Sequence, residues 1–359
     1  MTNYPKVLIT DETLRDGLQI ERSGVTVAEK LELLNRMVDA GLKRMVVGAF
    51  VNPKWSPQMG DTYELVKQIE PRPDVKFFSL ALNDRGREER KAFTPPLSAE
   101  ELPATHLHLC GVFIQRNTNK TLEDQERSWR LPIDRAVALG LKESAIGLSS
   151  GFGSNWTGKV SHEARMEALQ RQYDAWSEAG IKVRRVDMAD PMGWNTPTEV
   201  AKDVRAIKER FPTIDIFHVH FHNARALALL SFYEVLNLLQ PTDTIIADTA
   251  IGGIGGCPYC GNGQATGMIA TEDLVHLLQT LGIETGIHLD RLIETSHRLS
   301  EILGRPLHSQ VSFNGPLPDQ DSLYSEDVPV VFTFEEAQHF RLGSSVYEGN
   351  ARPWIKEAK

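Results

Sequence analysis

Eight short apolar runs, each followed by a longer amphipathic stretch, limit this chain to very few folds. The runs are Val7–Thr10, Arg44–Gly48, Lys76–Leu82, His106–Val112, Ser144–Ser149, Val183–Met188, Ile216–Phe221 and Thr244–Asp248. Most are rich in β-branched or large apolar residues, as strands of a parallel sheet buried on both faces tend to be. The stretches between them carry helical periodicity. Val27–Ala40 puts Leu31, Leu34, Met37 and Val38 on one stripe and stops at Gly41, and Ser161–Ala179, Thr198–Arg210 and Ala224–Leu239 behave alike. About eight βα units fit between Lys6 and Gly282, which predicts a (β/α)8 barrel. A doubly wound open sheet is the rival, but it rarely needs so many consecutive units. The barrel is expected to occupy 1–303. A short C-terminal extension, 304–359, begins with Pro306, Pro316 and Pro318 among polar residues. Its aromatics Phe332, Phe334, Phe340 and Trp354 argue for packing, on the barrel or on a neighbouring subunit of a homo-oligomer, against the alternative of a disordered tail.

The 359 residues carry a net charge of −9, so a phosphate-binding basic face is not expected and nucleic acid is excluded as a partner. No apolar run approaches the roughly 20 residues that span a membrane. Met1–Lys6 is too short and polar for a signal peptide. Three cysteines in so long a chain are no disulfide framework, and a cytoplasmic, reducing location is expected.

In a (β/α)8 barrel the active site lies at the C-terminal ends of the strands, and the polar residues gather there. The first strand ends in Thr10–Gln19, the sixth in Asp187-Met188-Ala189-Asp190, and the eighth in Asp248 before Gly252–Cys257. The seventh carries His218, His220 and His222. Residues i and i+2 of a strand point to one side, so His220 and His222 can present two imidazoles to one point. With a carboxylate they would make a site for a divalent ion, leaving positions for substrate oxygens or water. Asp16, on the strand that neighbours the eighth in a closed barrel, can reach that point. The bland alternative keeps the histidines as hydrogen-bonded core or interface groups. His218 shares the parity and lies deeper, behind the ligands or in the core. Cys257 and Cys260 form a C-x-x-C without the further ligands a zinc knuckle needs, so Cys257 is either inert or a proton donor or acceptor. The Gly252–Gly256 run lacks the lysine and serine of a phosphate loop, and a lid hinge reads as well.

Taken together, Arg15-Asp16-Gly17-Leu18-Gln19-Ile20-Glu21, Pro53-Lys54-Trp55-Ser56-Pro57-Gln58-Met59, His220-x-His222-Asn223, Gly255-Gly256-Cys257-Pro258-Tyr259 and Ala270-Thr271-Glu272-Asp273-Leu274 resemble the 3-hydroxy-3-methylglutaryl-CoA lyase family. The similarity runs in order from Val7 to Leu303. The wider group is the metallolyase superfamily of (β/α)8 barrels, whose isopropylmalate and citramalate synthases carry a similar Thr-Leu-Arg-Asp-Gly run. The resemblance implies a carbon–carbon lyase cleaving a 3-hydroxyacyl-CoA or related hydroxy acid by retro-Claisen or retro-aldol chemistry. Asp16, His220 and His222 would bind Mg2+ or Mn2+, with Co2+, Fe2+ or Zn2+ compatible. Arg15 would face oxyanion charge, Asp190 matches an active-site aspartate and Cys257 the catalytic cysteine. Gln19 and Trp156 become candidate substrate contacts.

Three positions depart from the family. Met268 stands where it has a ligand asparagine, which Asn262 or water would replace; thioether sulfur suits a hard ion poorly. Val46 stands where it has a glutamate. Gly151–Trp156 replaces its own loop. Two alternatives follow, a condensing synthase or aldolase of the same superfamily and a catalytically silent barrel. The short post-barrel segment leans to lyase, and the retained Arg15, Asp16, histidines and Cys257 oppose silence.

Overall fold

The computed structural model describes residues 3–323 except 23, 55, 82–83, 100–101 and 261–266. The chain divides into a compact unit, Met1–Ser312, and a second unit, Phe313–Lys359. The latter is described only to residue 323, where Ser322 N–H donates to Asp319 O at 3.1 Å in a turn. Pro329–Lys359, with Phe332, Phe334, Phe340 and Trp354, lies outside the described residues.

The first unit is built on eight parallel strands: β1 (Lys6–Asp11), β2 (Arg44–Ala49), β3 (Lys76–Leu80), β4 (Ala104–His108), β5 (Glu143–Ser149), β6 (Lys182–Asp190), β7 (Ile216–Phe221) and β8 (Thr244–Thr249). Their order is β3-β2-β1-β8-β7-β6-β5-β4, the circular order of a (β/α)8 barrel. Each expected run supplies one strand. The seam lies between β3 and β4, which share no ladder among the described residues. Leu97 and Ser98 meet the edge of β3 instead, Ser98 N–H donating to Phe77 O at 2.7 Å. First and last strands are laddered from Lys6↔Thr244 to Asp11↔Thr249. This register carries the residues after β1 to the glycine-rich run after β8.

Burial alternates along β7. Phe217, Val219 and Phe221 are fully buried in the main core cluster with Val204, Ile207 and Phe232, while His218 and His220 take the other parity. Each buried apolar side chain contributes about 1.5–3 kcal/mol, which lets the strand hold polar residues on its barrel face.

Two boundaries differ from the sequence reading by four residues. The fourth strand stops at His108 because Cys110 caps a helix, Gly111–Thr118, its Sγ accepting from Phe113 N–H at 3.4 Å. The helix expected from Ala224 starts at Ala228, since Asn223 Oδ1 accepts from Ala228 N–H at 3.0 Å and Ala226 takes a left-handed φ of 57°. The start of the extension packs on the barrel: His308 N–H donates to Gly252 O at 2.8 Å and Ser309 Oγ to Asp273 Oδ1 at 2.8 Å. Among the described residues no helix is long and apolar enough to cross a membrane.

Candidate metal centre

β1 runs into a π-helical turn, Thr13–Gly17, a rare local form that recurs at functional sites. The turn aims Arg15 and Asp16 inward. Asp16 is 3% exposed. Its Oδ2 accepts from Arg15 Nη1 at 2.7 Å and its Oδ1 from Gly256 N–H at 3.0 Å. Arg15 Nε also donates to Glu12 Oε2 at 2.7 Å. Burial would raise the Asp16 carboxyl, but the Arg15 guanidinium and the imidazoles of His222 and His220 outweigh it and hold it at about 2.

β7 brings the two imidazoles to the same point. His220 Nε2 and His222 Nε2 are 3.2 Å apart, and they lie 4.0 and 3.6 Å from the Asp16 carboxylate oxygens. Three donors about 2.1 Å from one ion stand roughly 3.0–3.4 Å apart at octahedral or tetrahedral angles. The observed spacings of 3.2, 3.6 and 4.0 Å lie within about 0.6 Å of that, so small side-chain adjustments would let these residues hold a divalent ion. Burial, only partly offset by Asp16, lowers His222 to about 4, so it is neutral at neutral pH with a lone pair to give. For His220 burial acts downward, but the hydrogen bond and charge of Asp248 and the charge of Asp16 raise it overall. A proton therefore competes with an ion there. A second triple, Glu12, His220 and Asp248, also converges. Its Glu12 is occupied by Arg15 and its carboxyl is raised by burial, so it reads as support rather than as a ligand set.

Asp248 carried no assigned role in the sequence reading, although its place at the end of the eighth run was visible. It is buried, and its Oδ2 accepts from His220 Nδ1 at 2.9 Å, which turns Nε2 toward Asp16. A carboxylate behind a ligand histidine is a common means of fixing its tautomer and orientation. His218, expected behind the ligands or in the core, bonds the other oxygen of Asp248 through Nε2 at 2.8 Å. Burial acts to lower His218, yet the carboxylates of Asp248 and Asp187 hold it at about 10.

The Gly252–Gly256 run is a wall of backbone donors. Gly252 N–H meets both oxygens of Glu272 at 2.9 Å, and Gly256 N–H meets Asp16. Gly255 has φ +127°, and a Cβ there would lie 2.9 Å from Met268 Cγ and 3.1 Å from Asp16 Oδ1. Met268 is thus buried next to the Asp16 carboxylate. Asn262 lies outside the described residues. Cys257 follows Gly256 directly and is half-buried beside Cys110, Phe113, Met192 and Cys260. The Cys260 thiol is raised far above its usual range by a hydrogen bond to Cys257 and by burial.

Asp190 is fully buried. Its Oδ2 takes Asn195 N–H at 2.5 Å and Asn195 Nδ2 at 2.7 Å, while Oδ1 has no partner. Burial raises its carboxyl against those bonds. The link from Asn195 Nδ2 to His222 O at 3.2 Å ties this aspartate to the segment that carries the two imidazoles, a connection the sequence did not signal. Trp156 stands in a short hairpin under the guanidinium of Arg116, 5.5 Å from its ring. Its neighbour Asn155 donates to Cys260 O at 3.1 Å and so joins that hairpin to the cysteine segment. Gln19 is half-buried just past the π-helical turn, and Val46 is half-buried on β2 opposite Phe78.

Residues 6–299 match the family model described as HMGL-like. The chain is 33% identical over 325 residues to the (R)-citramalyl-CoA lyase of Chloroflexus aurantiacus, covering 88% of this chain and 96% of that one. It is 29% identical over 308 residues to the hydroxymethylglutaryl-CoA lyase YngG of Bacillus subtilis, covering 86% and 97%. A solved HMG-CoA lyase from Acinetobacter baumannii, in complex with coenzyme A and 3-methylmalate, superposes with a TM-score of 0.71 at 26% identity over 91% of this chain and 98% of that one.

Proposed function

The chain belongs to the HMGL-like family, and we propose that it is a divalent-metal-dependent carbon–carbon lyase that cleaves a 3-hydroxyacyl-CoA into a carbonyl product and a shorter acyl-CoA. The observation that carries this reading is the convergence of Asp16, His220 and His222 within 4.8 Å of one another, with Arg15 bonded to Asp16. These three residues would hold the ion, with Mg2+ or Mn2+ the preferred occupant and Co2+, Fe2+ or Zn2+ compatible with the mixed N/O donors. Asn262 or water would add a further donor. A bound divalent ion supplies Lewis acidity, which lowers the pKa of a coordinated hydroxyl.

The chain's own residues supply the remaining chemistry. Asp190, whose Oδ1 is free and whose carboxyl is raised by burial, takes the proton of the substrate hydroxyl. Arg15, pinned on one side by Glu12 and Asp16, stabilises charge on the oxygen of the departing carbonyl. The bond to the α-carbon breaks and leaves its electron pair in a thioester enolate. The Cys257 thiol protonates that carbon. Gln19 and Trp156 belong to the surrounding pocket. We read the enzyme as a cytosolic homo-oligomer, its three cysteines all free thiols.

The test is metal content of the purified protein followed by a cleavage screen over short hydroxyacyl-CoAs. A metal-free protein with no carbon–carbon cleavage of any hydroxyacyl-CoA would sink the reading. Within the screen, 3-hydroxy-3-methylglutaryl-CoA is expected not to be the best substrate. Val46 offers no hydrogen bond where the family has a carboxylate, and Gly151–Trp156 gives the site a different wall. Loss of a buried polar contact can cost a matching substrate roughly 10⁴ in kcat/KM. Branched or longer acyl groups should exceed it, and a clear win for that thioester would overturn this part of the reading.

A further inference from the structure

We propose that His218 is a positioning residue for the ion site: together with Asp187 it locks Asp248 onto Nδ1 of His220, so that ion affinity depends on a side chain that never touches the ion. The proposal rests on the metal-centre reading above.

The geometry is a continuous tether through the barrel interior. Both oxygens of the buried Asp248 are committed, Oδ2 to His220 Nδ1 at 2.9 Å and Oδ1 to His218 Nε2 at 2.8 Å. With the second bond removed, the carboxylate would keep one buried oxygen without a donor and could turn about its terminal torsion, which is broad for aspartate. His220 would then lose its fixed orientation. His218 is itself held from behind, with Nδ1 3.4 Å from Asp187 Oδ1. Asp187 accepts from Arg185 Nε at 2.6 Å and Nη2 at 3.1 Å, and its Oδ2 lies 3.0 Å from His106 Nε2.

That last contact crosses an entire strand. His106 is on β4 and Asp187 on β6, with Gly147 of β5 between them in register. A Cβ at Gly147 would lie 2.5 Å from His106 Cδ2 and 3.0 Å from Asp187 Cβ, so only glycine leaves room for the pair to meet. Four strands therefore contribute to one hydrogen-bonded chain ending at a ligand nitrogen. A merely space-filling core histidine would need none of these partners.

The experiment uses the full-length chain stripped with a chelator and titrated with Co2+ alone, read by its visible absorption and by calorimetry, with circular dichroism as the folding control. His218→Met keeps the volume and removes the donor; His218→Gln restores an N–H for Asp248 Oδ1. Outer partners of ligand histidines typically tune affinity 10–100-fold, so His218→Met should bind Co2+ about tenfold more weakly, and His218→Gln should recover to within about threefold of wild type. Wild-type affinity in a folded His218→Met protein overturns the proposal. So does an equal loss in both variants, because the hydrogen bond would then not be the cause. Wild-type protein that takes up no Co2+, or His220→Ala that binds it as well as wild type, overturns the metal-centre reading itself and is distinct from either result.

Discussion

Asp16 is buried with Arg15 and Gly256 hydrogen-bonded to its two oxygens and the two imidazoles 3.6 and 4.0 Å away. Its depressed pKa follows from those neighbours outweighing burial, and it keeps the group a carboxylate across the whole working range of pH. Truncation there removes a donor and one of the two carboxylates hydrogen-bonded to Arg15. Asp16→Ala and His220→Ala are each expected to lose bound metal and cleavage activity together, by a factor of at least about 10². Elemental analysis after dialysis against a chelator, run beside the activity assay, checks this; a variant with full activity would show that the ligand set is wrong. His220 also sets the direction of a pH effect. Its proton must leave before an ion binds, so affinity should weaken as pH falls.

At the scale of elements, the helix Thr271–Thr280 holds the glycine-rich segment through Glu272. This carboxylate is fully buried and receives Gly252 N–H on both oxygens and Ser312 Oγ at 2.8 Å. Burial outweighs those bonds and raises it from its usual 4.5 to about 7. A raised folded-state pKa means that the native chain binds this proton more tightly than the unfolded one. Its stabilising contribution is therefore complete below about pH 4.5 and is lost as pH rises through about 7. Asp11, raised to about 6 by burial, acts with the same sign at lower pH. Thermal melts from pH 5 to pH 8 should show stability falling, with Glu272 supplying up to about 3 kcal/mol. Glu272→Gln should flatten the slope between about pH 5 and 7. An unchanged slope in that variant would assign the pH dependence elsewhere.

For the whole molecule, the centre draws together the first strand, the seventh strand and the segment after the eighth. An ion bound there favours the folded barrel as a unit, by about 2.7 kcal/mol at a hundredfold excess over Kd. Chelation should accordingly lower Tm by several degrees, about 2–4 °C per kcal/mol for domains near this size. Asp16→Ala should be indifferent to chelator. Equal responses from wild type and variant would show that any bound metal sits elsewhere.

The alternation of apolar runs and helical stretches was enough to give the barrel, because each run must be covered on its outer face whatever the loops do. The convergence of Asp16, His220 and His222 was legible for a similar reason: strand parity sets the two imidazoles on one side, and barrel order makes the first strand the neighbour of the eighth, whereas Arg15 was implied only by the family resemblance. The ends of elements were less so. Cys110 and Asn223 set where two helices begin through side-chain caps whose competing turns look alike in sequence. What only the tertiary structure decided was the network behind the His220 and His222 imidazoles. His106, Gly147, Asp187, His218 and Asp248 come from five strands spread over more than 140 positions of sequence, and no spacing rule connects them. Their meeting depends on the register of adjacent strands and on one missing Cβ. These quantities are fixed by the closing of the sheet and are not written in any single segment of the chain.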